Sequence, residues 1–154
     1  MLRLCRLMLL GLALGPLVGC GLYHHLFATP DDNPHRAEVK GTVNYRQRIA
    51  LGPSAELIVR MEDVTQHGQR PVLVAENRQM QPGQVPIHFE LVYDRRRISP
   101  DHHFVLSAVI REEGEDMLVT PAPVPVLTQG HGDTVDLELQ MLSGGPWTLR
   151  REAR

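Results

Sequence analysis

From residue 37 to residue 142 apolar and polar side chains alternate with a period of two, in short runs cut by Gly, Pro and Asp turns. Such alternation is the mark of strands with one buried and one solvated face. Val39, Gly41, Val43 and Tyr45 share one side of a first strand, with Lys40, Thr42, Asn44 and Arg46 on the other. Leu57, Val59 and Met61 define a second strand over 56–64, and a short third covers 72–76 behind Pro71. After the turn at 81–84, Ile87, Phe89, Leu91 and Tyr93 alternate with His88, Glu90 and Val92. Phe104, Leu106, Ala108 and Ile110 repeat the pattern, 117–119 follows the acidic turn at 112–116, and Val135, Leu137, Leu139 and Met141 give the clearest strand. Pro121, Pro123 and Pro125 would each remove a ladder donor, so 121–126 is expected as an edge strand or an extended connection. No helix-length period competes, and the expected fold is all-β: an antiparallel sandwich of seven to eight short strands, with a partly open barrel as the alternative.

The first residues follow a different logic. Arg3 and Arg6 precede an apolar run from residue 7 to residue 17, and Leu17-Val18-Gly19-Cys20 closes it. The arrangement resembles the lipobox of bacterial lipoproteins, which implies a signal peptide over 1–19, and lipidation of Cys20 by diacylglyceryl and N-acyl groups. The run is too short to cross a hydrocarbon core of about 30 Å. Acyl chains contribute about 0.8 kcal/mol per buried methylene, so they would hold the domain at the membrane without an apolar surface of its own. Gly21 rather than Asp after Cys20 resembles the outer-membrane class, with the domain facing the periplasm. Residues 20–36 carry Pro30 and Pro34 and no regular period, and read as a tether. The organisation expected is signal 1–19, tether 20–36, domain 37–142 and polar tail 143–154.

Removing 1–19 takes two of the 16 basic residues and none of the 18 acidic ones, leaving a mildly acidic protein. That balance argues against nucleic acid as a partner. The two cysteines, Cys5 in the signal and Cys20 at the anchor, leave no thiol for a disulfide, a nucleophile or a metal.

Two stretches carry a family resemblance. Residues 39–51, Val-Lys-Gly-Thr-Val-Asn-Tyr-Arg-Gln-Arg-Ile-Ala-Leu, are followed by a strand that ends in Asp63-Val64. Residues 85–94 and 104–110 supply a second half. Together they resemble the YscW/YbaY-type lipoprotein domain over about residues 38–142. The resemblance implies a β-rich, lipid-anchored domain, and its name comes from pilot lipoproteins that assist an outer-membrane secretin. Gly52, in place of the family's usual proline pair, and the basic run Arg95-Arg96-Arg97 depart from the pattern.

Residue by residue, the motif has architectural explanations. Gly41 would permit close approach or a bulge, Tyr45 and Tyr93 would bury rings while their hydroxyls reach backbone groups, and Asp63 would bind turn amides. Enzyme signatures are weak: Ser54, Ser99, Ser107 and Ser143 lie in no nucleophile elbow, and Asp101-His102-His103 reads first as a turn. His24-His25, His102-His103 and His131 with Asp133 lack metal-ligand spacing, so neither a metal nor a cofactor is expected. Arg95, Arg96 and Arg97 form the candidate partner surface, with the acidic turn Glu112, Glu113, Glu115 and Asp116 and the 121–127 edge as further contacts. The reading that follows is a non-enzymatic envelope accessory factor, anchored through Cys20, that holds a protein such as a secretin-like component. The alternative is a glycan- or peptidoglycan-binding module with Tyr23, Phe27 and Trp147 as stacking rings, and a hydrolase stands third.

Overall fold

A computed structural model of the chain describes residues 33–142. They form eight strands in the order β1 (Arg36–Tyr45), β2 (Glu56–Asp63), β3 (Val72–Met80), β4 (Ile87–Asp94), β5 (Phe104–Glu112), β6 (Glu115–Val119), β7 (Val124–Val126) and β8 (Thr134–Met141). A single 3₁₀ turn, Arg95–Arg97, follows β4. The all-β class and the strand number are those the alternation predicts.

The strands join into one sheet with the path β3-β2-β5-β6-β8-β1-β4, and β7 adds to β5. All pairs are antiparallel except β1 with β8, which run parallel with Gly41 opposite Val135 and Val43 opposite Leu137. This pair corrects the wholly antiparallel expectation. A parallel pair needs a long crossover, and here everything between the first and last described strands serves as one. Because the path bends β3 and β4 back towards each other, the sheet takes the partly open barrel form. A Gln79 side-chain amide donates to the His88 carbonyl at 3.2 Å, spanning the two end strands.

The alternating residues meet inside. Val39, Val43, Leu57, Val59, Met61, Leu91, Leu106, Ile110, Leu118, Leu137 and Leu139 are essentially inaccessible to solvent and belong to one core. Each such side chain contributes about 1.5–3 kcal/mol by leaving water. Gly41 has a specific reason to lack a side chain: a Cβ there would lie 1.7 Å from the Val135 carbonyl oxygen and 3.0 Å from the Phe89 ring. The contact is with the two strands flanking β1, so the close-approach role expected of Gly41 holds and no bulge is involved.

Turn chemistry finishes the scaffold. Glu113 and Gly114, both at positive φ, form the two-residue loop between Glu112 and Glu115, the backbone twist that a tight hairpin requires. β6 and β7 lie along successive stretches of β5, and the proline-rich segment between them interrupts the ladder. There Thr120 Oγ1 accepts from the Ala108 N–H at 2.8 Å, so the interruption leaves that donor satisfied.

Candidate partner-binding surface

β3 is where structure and sequence part. Alternation suggested a strand ending at Glu76, yet β3 continues to Met80 because it pairs with β2 along its length, Met80 opposite Glu56. Its positions opposite the buried Val59 and Leu57 are Asn77 and Gln79, which carry no apolar signal. A β-bulge between Met61 and Glu62 leaves Val74 as an extra residue, shifting the register at the Leu73 end. The Oδ1 of Asn77 is buried without a hydrogen-bond donor.

As the two ends of the sheet path, β3 and β4 share no backbone ladder. Paired strands lie about 4.8 Å apart, whereas this seam is spanned by side chains. The Arg97 guanidinium donates through Nη2 to the Leu73 carbonyl at 2.8 Å and through Nη1 to the Val74 carbonyl. Five large apolar residues are substantially exposed among the described residues, and four of them lie on these two strands: Val72 (60%), Leu73 (46%), Met80 (66%) and Val92 (42%).

The three arginines therefore do not form one free basic patch. Arg96 binds Asp94, with Nη2 to Oδ2 at 2.6 Å and its backbone N–H to Oδ1 at 2.9 Å. The Arg96 side chain, then its backbone N–H, hold the Asp94 carboxyl at about 2, well below the usual range. Arg97 is committed to β3, and Arg95 is exposed, with its backbone N–H donating to the His35 carbonyl at 2.8 Å. On the outer face of β2 and β3, Glu76 accepts from Arg60 and from Arg78 at 2.6 Å each, and Arg78 also reaches Glu56 at 3.0 Å. These bonds, Arg60 first, lower the Glu76 pKa.

A second polar cluster ties the far end of β2 to the β4–β5 connection. Asp63 accepts from the Thr65 N–H at 2.9 Å and from the Thr65 hydroxyl, as its turn role predicts. His102 Nδ1 lies 2.6 Å from Asp63 Oδ2, so the partner of His102 is Asp63 rather than the neighbouring Asp101. Its ring stacks on Phe104, with centroids 6.2 Å apart. Burial pushes the Asp63 pKa upward, but the hydrogen bonds from Thr65 and His102 outweigh it and the net shift is downward. Thr128 donates to the His102 carbonyl at 2.6 Å and Thr65 Oγ1 accepts from the His103 N–H at 2.9 Å, so these bonds tie the loops together. No three His, Cys, Asp or Glu side chains converge at metal-binding distance among the described residues.

Of the other expected sites, Tyr45 donates to the Gln84 side chain at 3.3 Å rather than to a backbone group. β7 is the short strand expected within 121–126, bound to β5. Cys20, Tyr23, Phe27, His24-His25 and Trp147 lie outside the described residues.

A sequence profile described as "Type III secretion system lipoprotein chaperone (YscW)" matches residues 34–139. The chain belongs to this family. It is also 31% identical over 113 residues to the uncharacterized lipoprotein YbaY of Escherichia coli K12, an alignment that takes in 73% of this chain and 59% of that protein. Among solved structures, an alternative pilotin from the type II secretion system of Vibrio cholerae superposes with a TM-score of 0.67 at 31% identity, over 71% of this chain and 99% of that one. The match to the YscW family thus covers nearly the whole described barrel, including the β3–β4 seam.

Proposed function

We propose that this chain is a non-enzymatic accessory lipoprotein of the cell envelope, fixed to the outer membrane through Cys20 with its domain facing the periplasm, and that its barrel holds a secretin-type outer-membrane protein close to the bilayer. The observation that carries this reading is the likeness to the Vibrio cholerae pilotin over 99% of that chain, at an identity high enough to relate more than the fold. The lipobox-like segment ending in Cys20 supports the anchor. Mechanistically the role is tethering: an anchored domain and an outer-membrane partner share a thin layer, so a moderate affinity suffices once confinement raises the effective concentration.

Crosslinked affinity purification of the full-length protein from intact envelopes, beside a Cys20→Ala control, tests the reading. It expects one stoichiometric outer-membrane partner that is lost or mislocalised in the control. High bait recovery with no such partner contradicts it.

A further inference from the structure

We propose that the β3–β4 seam is a strand-addition site for an extended protein segment bearing apolar side chains and a carboxylate, and that Arg97 occupies the site until such a segment arrives. The surface follows from the geometry alone; that its occupant comes from another protein rests on the accessory reading above.

β3 has a ladder on its β2 side only. Free carbonyls on an edge are a template for another chain, and folded proteins blunt such edges with charged side chains. Here the blunting is done by one residue from the adjoining turn: Arg97 takes the carbonyls of Leu73 and Val74, the second being the bulged residue that has no cross-strand partner on β2. A guanidinium is better matched by a carboxylate, which it binds bidentately through charge-assisted bonds. An incoming carboxylate therefore draws Arg97 off the edge, and the backbone N–H groups of the same segment replace it on the two carbonyls.

Charge selects that occupant. Arg70 lies just ahead of β3 and Arg95, Arg96 and Arg97 directly follow β4, so the sequence places basic residues next to the ends of both seam strands. The acid at this end, Asp94, is already bound to Arg96, and Asp63 on the neighbouring strand is bound to Thr65 and His102. Glu62, opposite Leu73, lies one strand further in. Val72, Leu73 and Val92, exposed beside the seam, offer contacts to the alternate side chains of an added strand.

The test uses the full-length protein in detergent micelles and three synthetic peptides: Val and Thr alternating around a central Glu, the same peptide with Gln, and the same with Pro. Residue-resolved amide exchange and affinity are read together. The Glu peptide is expected to protect amides of β3 and to bind about tenfold more tightly than the Gln peptide, the size of one charge-assisted hydrogen bond. Arg97→Ala is expected to bring the two peptides within about twofold, Arg97→Lys to restore part of the preference, and the Pro peptide to lose protection. Unchanged exchange of β1 and β5 amides shows that the variants remain folded.

Absence of binding, protection elsewhere, or a Glu preference that survives Arg97→Ala overturns the proposal. So does concentration-dependent protection of β3 without peptide, which would make a second copy the occupant. A captured envelope partner that protects another face sinks the seam and leaves the accessory role standing. Peptide protection at β3 with no envelope partner does the reverse.

Discussion

β1 and β3 have similar lengths, yet they are held in opposite ways. β1 lies between β4 and β8, sends Val39, Val43 and Tyr45 into the core, and is packed so tightly that Gly41 has no room for a methyl group. β3 has one laddered neighbour, turns Asn77 and Gln79 towards the interior, exposes Val72, Leu73 and Met80, and relies on an arginine side chain to cover its free carbonyls. What a strand contributes is thus decided by what lies on either side of it. A strand with two partners is scaffold, and a strand with one is an available surface.

The largest effect that could break this contrast is at Gly41. Gly41→Val is expected to destabilise the domain by more than about 3 kcal/mol, since the added atoms meet backbone on one side and Phe89 on the other. Chemical denaturation would show it, and a mild effect would mean that β1 can shift away from β8. Next in size is Leu137→Ala, on the strand paired to β1, which is expected to cost about 2–3 kcal/mol through the cavity it leaves.

Asp63 sharpens the contrast through pH. Its folded pKa lies below the ordinary 3.8, so its contribution is fully present above that value and is lost as the pH falls through the depressed one. Asp94 behaves in the same way, losing its contribution between 3.8 and about 2. The domain is expected to lose stability below about pH 4, and Asp63→Asn to cost about 1 kcal/mol at neutral pH while flattening that acid dependence. Thermal melts from pH 7 to pH 2 would check the sign, and an Asn variant with the parent's acid profile would remove Asp63 from the account. The smallest effect belongs to β3: Val72→Ser and Met80→Ser are expected to change stability by no more than about 0.5 kcal/mol, because both side chains already meet water. A large loss at either would show that the seam is covered.

The same contrast explains what could be read in advance. Wherever a strand packs one face against the core, as at Val135, Leu137 and Leu139, alternation announces it, and the all-β class and strand number follow. Gly41 and Asp63 were legible because a missing side chain and a short acid have local roles. The run Asn77–Met80 was not, since β3 persists there through backbone bonds to β2, which leave no trace in side-chain hydropathy. The parallel β1–β8 pair and the curl of the sheet depend on partners almost a hundred residues apart along the chain. Arg95, Arg96 and Arg97 are legible as a group, but their separate engagements are not: all three are exposed, yet Arg96 is held by Asp94 and Arg97 closes the edge of β3.

Native-state amide exchange of the full-length protein, resolved by residue, tests the division between scaffold and open seam most directly. Slow exchange through β1, β5 and β8, with markedly faster exchange of the β3 and β4 amides that face the seam, is the expected result. Uniform protection across β3 and β4, equal to that of β1, would mean a closed barrel with no edge to offer and would contradict the account.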